Sequence, residues 1–136
     1  MPRLRLRYGV LTTGLIVGFL WGAWHFLVTF WGSGDSSGAF SLDLLLPPLL
    51  FYVGVLPVYR VLMVWVYDRT GSLLVAMLMH ASLTASAPMI LTSLGISGVP
   101  LLTWYLVLSA ALWVVAVVAV ANGRQLSRKP LPRRVA

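Results

Sequence analysis

Residues 9–31 read GVLTTGLIVGFLWGAWHFLVTFW, 23 residues with no acid, lysine or arginine. As a helix this stretch rises about 35 Å, enough to cross a hydrocarbon core of roughly 30 Å. A secretory signal peptide has an apolar body of only about 7–15 residues and ends in small residues at a cleavage site. This stretch is longer and ends in tryptophans, so it reads as a membrane span.

Working outward, residues 44–67, 71–94 and 99–121 repeat the pattern. The breaks between spans are 32–43, which is rich in Gly and Ser, 68–70 (Asp-Arg-Thr) and the uncharged 95–98. All are short enough to join antiparallel neighbours. The expected fold is all-α: a polytopic transmembrane helical bundle of about four spans over residues 1–121, followed by a basic cytoplasmic tail, 122–136. Composition agrees, since 60% of the chain is hydrophobic and 10% charged, far from the balance of a soluble domain. With no Cys there is neither a disulfide framework nor a thiolate metal site.

Charge sets the expected orientation. Arg3, Arg5 and Arg7 precede the first span, Arg69 lies between the second and third, and Arg124, Arg128, Lys129, Arg133 and Arg134 follow the fourth. Basic residues collect on the cytoplasmic side, so both termini are expected there, with the protein in the plasma membrane. The tail is an arm suited to anionic headgroups, which makes membrane lipids the first expected partner. A net charge of +7 does not indicate nucleic acid, because no basic face with interleaved aromatics exists.

Both histidines, His25 and His80, fall inside spans. Ionisable groups at membrane depth are costly and usually face the bundle interior or a watery cavity. Each is either a neutral histidine bonded between helices or part of a functional site, and the occurrence of both in parallel spans favours the site. Trp21 lies four residues before His25, and Gly14, Gly18 and Gly22 share its face by helical spacing. Ala76, Thr84 and Ala87 share the face of His80. These small-lined faces are expected to pack together with the imidazoles in a common space.

Two histidines fall short of the three protein ligands of a catalytic zinc site, and hydrolysis needs a base to activate water. The only acids are Asp35, Asp43 and Asp68, all expected in loops, and there is no Glu. Arg60, about 10 Å inside the end of the second span, either snorkels to the interface or faces an anionic group in a cavity. Pro57 is expected to bend that helix.

Two stretches carry a resemblance. Gly18 to Phe26, GFLWGAWHF, resembles the second signature of the CPBP (CAAX-protease-like) family, an aromatic residue four before a histidine, here Trp21 and His25. Tyr67 to Ala81, YDRTGSLLVAMLMHA, resembles the third, a Tyr-x-Arg-Thr-Gly-Ser lead into a helix bearing His-Ala. The resemblance covers about residues 2–90. It implies the family of type II CAAX prenyl endopeptidases and bacterial immunity or maturation proteases, described as intramembrane metalloproteases with a glutamate-activated water.

On that analogy His25 and His80 are the catalytic, metal- or water-contacting residues, with Trp21 and Thr84 auxiliary. The cofactor implied is a divalent metal, zinc, and the partner is a membrane-associated protein or peptide substrate. Two departures follow. Thr84 stands where the family usually has Asn or Asp, and the Glu-Glu signature of a preceding helix is missing. The first nine residues resemble the basic stretch that follows that helix, so the chain is expected to be an N-terminally truncated member. The function expected is an incomplete CPBP endopeptidase; the alternative is a catalytically inactive membrane adaptor or immunity-like protein of the same fold. A small four-span transporter is disfavoured, because it would depend on a membrane-embedded carboxylate.

Overall fold

The computed structural model describes residues 2–31, 37, 39 and 41–123, with side chains at all of these except 2, 3, 43, 86–89, 92 and 120–123. The described residues are helical apart from short connections. A short α1 (Pro2–Arg5) leads into α2 (Val10–Trp31). Then come α3 (Leu42–Leu50), a π-helical turn (Phe51–Val55) and α4 (Leu56–Thr70), which together make one continuous rod; α5 (Leu73–Ser93) and α6 (Gly98–Gly123) follow. Three segments are long and apolar enough to cross a membrane: Val10–Trp31, Leu44–Thr70 and Gly98–Ala119. The α5 helix, 21 residues long, is the fourth expected span; its fully described apolar stretch is Leu73–Ala85. The chain is an all-α membrane bundle, as its sequence predicts. The expected tail beyond Gly123, and most of the 32–43 connection with Asp35, lie outside the described residues.

The central contact is α2 against the α4 rod. Gly14, Gly18 and Gly22 form a buried stripe on α2. Hypothetical methyls on Gly14 and Gly18 would come within 2.5 Å of the Cα atoms of Val61 and Pro57, and one on Gly22 would strike the Tyr52 carbonyl. Lipid tails are as apolar as leucine, so close backbone approach of this kind supplies the packing energy that water would otherwise drive. The finding corrects the expected pairing: the glycine stripe of α2 meets α4 and the π turn, not α5. Spacing identifies a face lined by small residues but not the helix that covers it.

The π turn has a local cause. Pro57 has no N–H, and its ring crowds the carbonyl four residues earlier. The chain widens just ahead of it, so that the Leu56 N–H bonds back to the Phe51 carbonyl, five residues away. Gly54, inside the wide turn, admits Ser109 of α6. Around this turn Phe51, Val55, Leu56, Leu83, Leu101 and Tyr105 form the main core.

The break expected at 68–70 moves. Helix α4 continues through Thr70 and stops at Gly71, whose φ of 61° is the left-handed cap that only glycine adopts cheaply. Asp68, expected in a loop, is therefore in the last helical turn. There it receives Arg5, with Nε at 2.8 Å and Nη2 at 2.6 Å from Oδ2. Asp43, likewise expected in a loop, is in the first turn of α3. Beyond Gly71, Ser72 opens α5 by accepting the Val75 N–H on its hydroxyl.

Candidate functional site

The indole of Trp21 is the centre of the site. Four residues before His25 on α2, it meets that imidazole at 5.8 Å between ring centroids, inclined at 66°. From α5, His80 stacks on the same indole at 4.9 Å and 28°. The two imidazole centroids are thus at most 10.7 Å apart, the sum of those distances. All three side chains are half-buried.

Counting along the two helices from their basic ends puts His25 about 10 Å deeper than His80. Trp21, one turn shallower, takes up about 6 Å of that offset. The two histidines therefore share an indole although their depths differ.

Two tyrosines that sequence reasoning missed hold the frame. Tyr52, in the π turn, stacks on His25 at 5.7 Å and 24°, and its hydroxyl is 2.7 Å from Thr29 Oγ1. Tyr59 of α4 donates to the carbonyl of Met79, 2.8 Å away and one residue before His80, so it pins α5 at the level of the histidine. The signal available in the sequence was Pro57 between them. A proline that widens the helix decides which way the aromatic residues on either side point.

Thr84 is exposed, and its hydroxyl donates within its own helix to the carbonyls of His80 (3.0 Å) and Ala81 (3.2 Å). Arg60 points into the site, its Cζ 5.3 Å from the Trp21 ring. A groove of about 330 Å³, lined by Phe19, Gly22, Ala23, Phe26, Leu49, Tyr52 and Val53, adjoins the site and shares Tyr52 with it.

The donors among the described residues do not by themselves make a metal centre. Among the described residues no three His, Cys, Asp or Glu side chains come together in a way that could hold a metal ion. Two imidazoles against one indole fall short of the three protein ligands of catalytic zinc. What the arrangement offers is two imidazoles able to donate or accept hydrogen bonds, a cation and a flat aromatic wall.

A family model described as type II CAAX prenyl endopeptidase Rce1-like matches residues 1–86, which include Trp21, His25, Arg60, His80 and Thr84. No curated protein matches the chain, and no solved structure does.

Proposed function

The chain belongs to the Rce1-like family of type II CAAX prenyl endopeptidases, and from that premise we propose that it carries the histidine half of an intramembrane endopeptidase site. The observation that carries this reading is the meeting of His25 and His80, from α2 and α5, on Trp21. Through their ring nitrogens the imidazoles hydrogen-bond the scissile carbonyl or the attacking water. Trp21 fixes their spacing, and the apolar surroundings restrict bulk water. The substrate is a membrane-associated protein or peptide, and the protein lies in the plasma membrane with its basic segments toward the cytoplasm.

The described residues supply no free base for the other half. The chain contains no Glu, and Asp68 is held by Arg5 at the end of α4. Hydrolysis on this reading needs a carboxylate that the described residues do not supply. Zinc would likewise need a ligand beyond those among the described residues.

A second reading, a catalytically inactive adaptor or immunity-like protein, is favoured by one observation: both imidazoles pack on Trp21, and among the described residues no third metal-binding side chain joins them. The experiment compares the chain with a version lengthened upstream in frame, both in vesicles with a prenylated CAAX peptide. The chain alone should leave the peptide intact. The longer version should cleave it, and His25→Ala or His80→Ala should each reduce cleavage by about 10²-fold or more. A longer version with no histidine-dependent cleavage supports the adaptor.

A further inference from the structure

The π turn, Phe51–Val55, packs against both α2 and α6. Tyr52 and Gly54 are two residues apart, which in a helix puts them on nearly opposite faces. The Tyr52 face meets α2 and the Gly54 face meets α6. The turn therefore joins the helix that carries His25 to one that lies beyond the residues the family model matches.

Tyr52 runs along α2 for two turns. Its carbonyl faces Gly22, its ring stacks on His25 at 5.7 Å and 24°, and its hydroxyl is 2.7 Å from Thr29 Oγ1. Gly22, His25 and Thr29 are spaced by three and four residues, so they form one stripe of the helix. Tyr52 is thus fixed at both ends, by backbone packing at Gly22 and by a hydroxyl pair at Thr29.

The consequence falls on His25. The χ2 angle of histidine is broad, so the plane of an imidazole held at one contact is poorly set. Here two rings grip it, Trp21 inclined at 66° and Tyr52 nearly parallel at 24°. Together they leave the ring one plane.

The far side of the turn is backed as closely. A methyl added to Gly54 would lie 2.6 Å from Ser109 Oγ, and Tyr105 packs on Phe51 with centroids 5.0 Å apart. Ser109 and Tyr105 are both buried. With α6 behind it, the turn has no room to retreat from α2, and Tyr52 stays on His25.

We propose that Tyr52 is a positioning residue: anchored by Thr29 and backed by Ser109, it sets the ring plane of His25 and so the direction in which that imidazole presents its nitrogens. The role in catalysis rests on the endopeptidase reading; the aiming device is the part added here. It makes α6 a working part of the site although none of its side chains is among the histidine contacts described above.

The test reads ring orientation and requires no catalytic base. The chain contains two histidines, so ring-labelled imidazoles in micelles give two sets of resonances, assigned with His25→Gln. The Tyr52 ring current displaces the His25 ring protons, and Tyr52→Leu defines the size of that displacement. Thr29→Val and Tyr52→Phe should each lose part of it, and the two together no more than either alone, because both remove one bond. Ser109→Leu overpacks the space beside Gly54 and should lose part of it with Tyr52 and Thr29 untouched, whereas Ser109→Ala should keep it. In every variant the His80 resonances should move several-fold less than those of His25. A His25 signal unchanged by Thr29→Val or by Ser109→Leu overturns the assignment. So does a shift of equal size at both histidines, which is the mark of general loosening. Either failure leaves the endopeptidase reading standing, since that reading needs only the meeting of the histidines on Trp21.

Discussion

Trp21 and His80 stack with centroids 4.9 Å apart and 28° between their planes, joining α2 to α5 at the level where His25 meets the same indole. Removing the indole should therefore be felt by both histidines. With the imidazoles isotopically labelled, Trp21→Leu should shift the ring resonances of His25 and His80 together. Aromatic pairs contribute about 0.5–1.5 kcal/mol beyond burial, so Trp21→Ala should destabilise by about 1–3 kcal/mol in detergent unfolding, and Trp21→Phe by less. A shift at one histidine only would separate them.

The glycine stripe makes a second expectation. A methyl at Gly18 has no flexible neighbour to displace, because the nearest atom is the Pro57 backbone. Gly18→Ala should therefore cost about 1–3 kcal/mol through overpacking, and Gly14→Ala, against Val61, a similar amount. Gly71→Ala should lose about 1 kcal/mol for a different reason, backbone strain at positive φ with open space around it. Denaturation of the purified variants checks all three.

How much of this was legible follows from which residues carry the information. Long apolar runs announced the helices, and the four-residue spacing of Trp21 and His25 is enough to put them on one helix face. The partner of the glycine stripe was not legible, because one-dimensional spacing names a face without naming its neighbour. Helix α4 overran its expected end because charged Asp68 and Arg69, with Thr70, are tolerated in a last turn, and the stop belongs to Gly71. Tyr52 and Tyr59 were invisible because their directions depend on the widened turn ahead of Pro57. The partner of Asp68, Arg5, lies 63 residues away, beyond any local pattern.

The pair of Arg5 and Asp68 is partly buried, with side-chain exposures of 6% and 17%. Truncating one partner leaves the other charge unpaired, so Arg5→Ala and Asp68→Ala should each destabilise by roughly 1–3 kcal/mol. The exchange Arg5→Asp with Asp68→Arg should recover part of the loss. A double-variant cycle in thermal unfolding measures the coupling, and additive losses would show that the pair contributes nothing.

The one-sided Arg and Lys distribution predicts an orientation with both termini in the cytoplasm. Reporter fusions after Asp68 and at the C-terminus should report the cytoplasm, and one at Ser36 the opposite side. A cytoplasmic signal at Ser36 contradicts this arrangement.

The central claim is that His25 and His80 face one space across Trp21, and proximity in the membrane tests it most directly. The chain has no native Cys, so His25→Cys with His80→Cys gives a clean pair for a short rigid bismaleimide. A protease site inserted in the 32–43 connection then separates α2 from the rest of the chain. The account predicts that the two fragments stay joined after cleavage, and that joining is lost when either cysteine is omitted. Fragments that separate although each cysteine labels on its own would contradict it, because the histidines would then belong to different faces of the bundle.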